Sequence, residues 1–281
     1  MESIVVRCPA KVNLTLEIVN RREDGFHNIK SIMQLIDLYD YLDIKVEKSN
    51  DTEIILSGSS DEIPYDETNL VYKAIKLFLE RTSLKSRVMI YIEKNIPIAA
   101  GLAGGSTDAA GTLYGLNKIF KEPLSREEIH DLCAKLGSDL NVCLEGGCLL
   151  ATSRGENVEK IPSIGSKISL IKPKNLGISA KEAYTKYAKK TLKLQNNNTE
   201  KMIDALNRGA DIKEFLYNDL EYAVFDDYKE LQEIKKAFPD SIMSGSGSTY
   251  FVLEDVDNTK MSDEFIIING LQFIDTGVEV V

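Results

Sequence analysis

The chain of 281 residues has no tryptophan, two histidines, four cysteines and seven prolines, and each scarcity closes a route. With only His27 and His130 and no clustered cysteines, a zinc site has almost no ligand supply, so metal chemistry would have to use oxygen ligands. Cys8, Cys133, Cys143 and Cys148 show no CxxC spacing and make no disulfide framework in a chain of this length; they read as reduced, buried small hydrophobes. No apolar run approaches the roughly 18 residues that span a bilayer. Arg7 and Lys11 fall inside what would have to be a signal-peptide core, so a cytoplasmic protein with no membrane partner is expected. Neither GxxxxGK[ST] nor a GxGxxG following a strand occurs, which argues against a P-loop or a dinucleotide fingerprint.

Positive charge is also in short supply: 34 Lys and Arg face 44 Asp and Glu, for a net charge of -10. Such a surplus repels a phosphate backbone, so nucleic acid is not an expected partner. The acidity is local. Residues 196 to 281 hold 18 acidic against 7 basic residues, net -11, whereas residues 1 to 195 hold 26 against 27, net +1. What remains is ordinary globular composition, 43% hydrophobic and 28% charged, in a chain long enough for two domains. A boundary near 155 to 165 is expected, giving units of 1–160 and 161–281.

Residues 3 to 19 read as strand broken by Pro9, and 41 to 57 as a hairpin turning at Ser49-Asn50-Asp51. Thr68 or Asn69 can cap a helix carrying Val71, Ala74, Ile75 and Phe78 at helical spacing. A strand ending near Lys94 leads to a Gly-rich loop, then helices from Ser106 to Phe120 and Ser125 to Leu136. Later strands fall at 146–152, 168–172, 241–244, 249–254 and 265–275, and helices at 179–190, 199–207 and 226–237, with a linker-like LQNNNTE at 194–200. β-rich and α-rich stretches mix without regular alternation, so the fold class is α+β.

Four places could carry chemistry. The loop Pro97 to Gly111 concentrates Gly101, Gly104 and Gly105 before Ser106, which stands where an N-cap would open the next helix; free N–H groups and the helix dipole there make an anion site, or merely a glycine turn. Asp108 in that helix would repel a bare phosphate unless a cation lay between them. Ser244 to Phe251, SGSGSTYF, reads as a hairpin turn. Lys11 lies in an early strand, where lysines ordinarily face water, and Asp139 follows Gly137-Ser138, where an Asp ordinarily caps a helix.

Their joint order is more specific than any one of them. Pro-Ala-Lys-x-Asn from Pro9, Pro-x3-Gly-Leu-x-Gly-Gly-Ser from Pro97, and Ser-Gly-Ser-Gly from Ser244 together resemble the three motifs of the GHMP kinase family. The match is closest to a branch of non-mevalonate isoprenoid precursor synthesis, through residues 9 to 42, NLVYKA (69 to 74), GSDLNV (137 to 142) and NDLE (218 to 221). Ala103 stands where the family often has Gly, Ser138, Leu140, Asn141 and Val142 depart from its Gly-Ala-Asp-Val-Pro-Phe, and Ser248 replaces a frequent Pro.

The resemblance implies a two-domain GHMP kinase fold: an N-terminal ribosomal-protein-like α/β domain, a C-terminal ferredoxin-like α+β domain, and the active site in the cleft between them. It implies transfer of the γ-phosphoryl group of ATP to a hydroxyl of a cytidine diphosphate-linked polyol. In that reading Asp139 is the base and Lys11 its partner, and Gly101, Leu102, Ala103, Gly104, Gly105, Ser106 and Thr107 cradle the phosphates. Mg²⁺ rides with the nucleotide, helped by Ser106 or Thr107. Asn69 and Lys94 flank the adenosine. Asn13, Phe26, His27 and Tyr184 meet the acceptor, and Ser244, Gly245, Ser246 and Gly247 form the third-motif turn. A monomer or weak homodimer is expected. A homoserine or mevalonate type of the same family, or a non-catalytic nucleotide- or RNA-binding relative, stays open at this point.

Overall fold

The computed structural model of the protein describes residues 1–190 and 197–281. Two long strands, β1 (Glu2–Arg21) and β2 (His27–Lys48), pair antiparallel along almost their whole lengths. Pro9 does not break β1. It pairs with Tyr39 at a register shift between Pro9 and Ala10, where a missing donor is tolerated. The first part of β2 escaped a period-two reading because both its faces are covered: Ile29, Ile32, Met33, Leu35 and Ile36 are all buried.

The hairpin expected over 41 to 57 does not form. β3 (Glu53–Gly58) leads into α1 (Leu70–Thr82) and then β4 (Ser86–Glu93). β4 takes the place beside β2, antiparallel over Tyr41 to Lys48, and β3 lies parallel on the far side of β4. The interior position goes to the more apolar strand: β4 buries Val88, Ile90 and Ile92, whereas β3 buries only Leu56. Asn69 caps α1 by accepting from Val71 N, and Val71, Ala74, Ile75 and Phe78 face inward as their spacing predicts.

α2 (Gly104–Ile119) begins two residues before Ser106, on Ala103 at φ 61°, with no side-chain cap. It lies close on the sheet because Gly111 and Gly115 face it: a Cβ at Gly111 would stand 2.3 Å from Cys8 Sγ, and one at Gly115 would stand 2.6 Å from Ile44 Cδ1. α3 (Arg126–Leu136) opens on a Ser125–Glu128 capping box, and α4 (Leu140–Glu145) follows Asp139. β5 (Cys148–Ser153), β6 (Asn157–Lys160), β7 (Lys167–Pro173) and α5 (Ala180–Lys189) come next. Residues 194–196 of the linker-like tract lie outside the described residues, and its remainder opens α6 (Asn198–Asn207). The chain ends with β8 (Tyr217–Asn218), α7 (Asp219–Val224), α8 (Lys229–Ala237), β9 (Ile242–Met243), β10 (Tyr250–Val252), β11 (Phe265–Ile274) and β12 (Glu279–Val280).

The strands join in the order β12-β1-β2-β11-β7-β10-β9. β11 makes the seam, setting Phe273 and Ile274 on Ile36 and Leu35 of β2 and the rest of its length on β7. β8 adds to β1 in parallel at Thr15 and Leu16, and β12 covers Val6 and Arg7. One core lies between α1, α2, α3 and the β2–β4 face, and another packs α5, α7 and α8 on β7 and β10. All four cysteines are free and buried, as expected. Helices gathered on a mostly antiparallel sheet bear out the α+β class. Among the described residues no helix is long and apolar enough to cross a membrane.

Candidate active site

Lys11 is only 2% exposed. The strand period puts it on the same face as Asn13, and a register shift between Asn13 and Thr15 re-aims that face. Its ammonium donates to Asn13 Oδ1 at 2.6 Å and Gly101 O at 2.9 Å, and lies 3.5 Å from Asp139 Oδ2. Two hydrogen bonds and one ion pair thus compensate the buried ammonium. Asn13 is held in turn, its Nδ2 donating to Ser31 Oγ at 2.8 Å.

Asp139 stands at the N-cap position of α4 but makes no capping hydrogen bond. Its carboxylate instead faces a cavity of about 870 Å³, together with Lys11, Asn13, Gly101, Ala103 and Ser106 from the first half and Tyr184, Gly245 and Ser246 from the second.

The loop before α2 is held by backbone contact with the 244–247 turn. Gly101 has φ 75°, and a Cβ there would stand 2.0 Å from Ser244 O. Ser244 Oγ donates to Gly101 O at 3.0 Å, Asn13 N donates to Ser244 Oγ at 3.3 Å, and Thr249 N donates to Ala100 O at 3.3 Å. The turn joins β9 to β10, as a hairpin reading expects, but Ser244 is buried beneath the cavity and only Gly245 and Ser246 line it. At the helix start, Gly104, Gly105 and Ser106 leave their N–H groups outside the intrahelical ladder at the positive end of α2, an arrangement suited to an anion.

Several expectations need correction. Ser106 is not the N-cap but lies within the first turn. Thr107 does not line the cavity: its N–H donates to Ala103 O at 2.8 Å and its side chain is fully buried. Leu102 is a core residue whose carbonyl accepts from Lys11 N at 3.1 Å. Asn69 is spent on capping α1 and on donating to Pro64 O. Lys94 is buried between two carboxylates, bonded to Asp40 and, at 2.8 Å, to Asp108 Oδ2, directly under Gly104. The cation that Asp108 meets is therefore Lys94, from the protein itself. Burial pushes the Asp108 carboxyl up to about 7 against the pull of Lys94. Asp40 also accepts from the N–H groups of Asn95 and Ile96, at 2.6 and 2.8 Å, which fixes the chain entering the loop.

At the far end of the cavity, the ring of His27 stacks on Tyr184 with centroids 5.1 Å apart and planes 17° from parallel. A base inserted between them needs about 3.5 Å on each side, so these two rings do not form an open sandwich. Phe26 is 54% exposed, and the Arg154 guanidinium lies 5.4 Å from its ring centroid. Burial, with Arg21 nearby, lowers the His27 imidazole below its ordinary value. Arg21, Arg154, Lys181 and Lys189 also line this end and were not anticipated. Helical spacing could have found some of them, since Lys181, Tyr184, Thr185 and Ala188 share one face of α5.

The family model for the GHMP kinases N terminal domain matches residues 69–147. A 4-diphosphocytidyl-2-C-methyl-D-erythritol kinase from Clostridium acetobutylicum is 37% identical over 267 residues, covering 92% of this chain and 93% of that protein. One from Bacillus cereus (strain B4264) is 40% identical, covering 89% and 88%. A crystal structure of 4-(cytidine 5'-diphospho)-2C-methyl-D-erythritol kinase superposes with TM-score 0.70 at 29% identity, covering 90% of each chain. A homoserine kinase from Cytophaga hutchinsonii superposes at TM-score 0.79 but only 18% identity, covering 100% of this chain and 98% of that one, a likeness of fold alone. With that identity sustained over about nine-tenths of its length, the chain belongs to the 4-diphosphocytidyl-2-C-methyl-D-erythritol kinases of the GHMP kinase family.

Proposed function

We propose that the protein transfers the γ-phosphoryl group of ATP to the 2-hydroxyl of 4-diphosphocytidyl-2-C-methyl-D-erythritol. The observation that carries this reading is the Asp139 carboxylate, left uncapped at the start of α4, with the buried Lys11 ammonium 3.5 Å from it at the cavity wall. The donors of Gly104, Gly105 and Ser106 hold the phosphates of ATP. The acceptor hydroxyl lies between Asp139 and the γ-phosphorus. A carboxylate is a weak base for a free alcohol, so Asp139 takes the proton late, as the O–P bond forms and the hydroxyl acidifies. Lys11 offsets the negative charge developing on that oxygen.

Among the described residues, no cluster of three or more His, Cys, Asp or Glu can hold a metal, while Ser106 brings a hydroxyl to the phosphate end of the cavity. Ser106 would be the protein group placed to join a Mg²⁺ carried in with the nucleotide, and the metal, when bound, would offset charge on the phosphates. Arg21, Arg154, Lys181 and Lys189 meet the acceptor's diphosphate. Its base takes the face of Tyr184 that His27 covers here, and Phe26 flanks it. Segments 1–160 and 161–281 are two units that share this cleft, the last few residues returning to the first unit through β12.

Phosphorylation assays with 4-diphosphocytidyl-2-C-methyl-D-erythritol, homoserine and mevalonate, reading ATP consumption, test the reading. Turnover is expected on the cytidine conjugate alone, and activity only on mevalonate or homoserine would reverse it. Asp139→Ala and Lys11→Ala are each expected to lower turnover by roughly 10²–10⁴-fold. Near-wild-type turnover in either variant would remove the role assigned to that residue.

A further inference from the structure

The segment Asn218-Asp219-Leu220-Glu221 reaches the cavity only through Leu220, yet Asn218, Asp219 and Glu221 are 0%, 3% and 7% exposed. Asn218 Nδ2 donates to Met243 O at 2.6 Å and to Gly245 O at 2.8 Å, while its Oδ1 accepts from Leu220 N at 2.9 Å, so the amide is fully used. Asp219 accepts from Ile18 N of β1 and from Tyr217 Oη, both at 2.6 Å. Glu221 accepts from Met243 N at 3.0 Å. Three residues of this segment thus clip β1, the strand that carries Lys11 and Asn13, to the chain entering the 244–247 turn.

That turn bears on Lys11 at two points. Gly101 O accepts from both Ser244 Oγ, at 3.0 Å, and Lys11 Nζ, at 2.9 Å. The Gly245 backbone closes over the ammonium, since a Cβ at Gly245 would stand 3.2 Å from Lys11 Nζ and 3.3 Å from Asn13 Oδ1. We propose that Asn218 is a positioning residue for Lys11: by holding the carbonyls of Met243 and Gly245 it sets the turn, and through Ser244 and Gly101 the turn sets the ammonium. The inference rests on the reading of Lys11 given above. A misplacement of about 1 Å in such a group costs up to about 10²-fold in rate.

Asn218→Asp keeps the shape and the acceptor for Leu220 N but places a carboxylate oxygen against the two carbonyls. It is expected to lower kcat by roughly 10-fold or more and to leave both KM values within about 3-fold. In ¹⁵N-lysine-labelled protein the Lys11 ammonium signal, identified by its loss in Lys11→Ala, is expected to broaden or shift. Ser244→Ala is expected to act in the same direction more weakly, and the double variant to be no slower than Asn218→Asp alone, because both act along one path. Wild-type kcat in Asn218→Asp, or an unchanged Lys11 signal, overturns the proposal. If Asn218→Asp does not fold, Ser244→Ala decides it by the same two readouts. Absence of wild-type turnover on the cytidine conjugate overturns the proposed function instead, while the Lys11 signal still judges the positioning.

Discussion

Lys11 shows how one residue trades stability for chemistry. A buried ammonium loses hydration that its partners only partly return, and replacing a buried ion pair by an apolar group of similar volume is often neutral or stabilising. Lys11→Met removes that cost but leaves the buried Asn13 Oδ1 without its donor, a loss of about 1–3 kcal/mol, so it is expected to abolish turnover while lowering stability to urea by no more than about that amount; a larger loss would show that Lys11 is chiefly structural. Gly101 works the opposite way. A Cβ there meets Ser244 O at 2.0 Å with φ at 75°, so Gly101→Ala is expected to cost about 1–3 kcal/mol of stability and to lower turnover more than 10-fold, read by urea unfolding and steady-state kinetics. That Gly101 serves close backbone approach was legible in the sequence. That Lys11 stands beside Asp139 was legible only through the family resemblance, and its burial was not legible, because its acceptor Gly101 O lies 90 residues away.

Among elements, α2 carries the most information. The glycines announced a phosphate-type loop, yet the helix starts before Ser106 and buries Thr107 and Asp108, which turns two residues of the motif inward. Beneath it one lysine faces two carboxylates, so one negative charge is unmatched, and burial raises Asp108 to about 7. An acid whose carboxyl titrates higher in the folded than in the unfolded chain binds more protons when folded, so its contribution is greatest below its ordinary value, about 4, and declines as pH rises toward 7. Asp108→Asn removes that titration and keeps an acceptor for Lys94. Urea unfolding between pH 4 and 7.5 is expected to show wild-type stability falling relative to the variant as pH rises; parallel curves would contradict the assignment. The helices over 70–82 and 126–136 were legible because caps and apolar spacing agree. The 41–57 hairpin was misread because pairing is a competition between strands, and β4, more apolar than β3, is distant in sequence from the strand it joins.

For the whole molecule, net charge and local charge point in opposite directions. The chain carries -10, yet among the described residues the cavity is lined by Lys11, Arg21, Arg154, Lys181 and Lys189 against the single carboxylate of Asp139. Field lines in a cleft follow its own lining, so an acidic protein still attracts small polyanions. Because residues from both halves line the cavity, ligands should stabilise the molecule as a whole. A non-hydrolysable ATP analogue at about 100 times its Kd adds about 2.7 kcal/mol, or roughly 5–8 °C in Tm; scanning calorimetry is expected to show one transition moving upward, and two transitions of which only one moves would show that the nucleotide binds within one half alone. By itself the sequence determined the α+β class, the phosphate-type loop, the pairing of Lys11 with Asp139 by family resemblance, and the cysteines as core, since these follow from local spacing, composition and motif order. Only the tertiary structure decided that Lys94 and Thr107 face inward, that His27 covers Tyr184, and that four basic side chains gather at the far end of the cleft. Those outcomes depend on which distant segments meet, and the free energy of a buried charge or a stacked ring belongs to the neighbours that surround it.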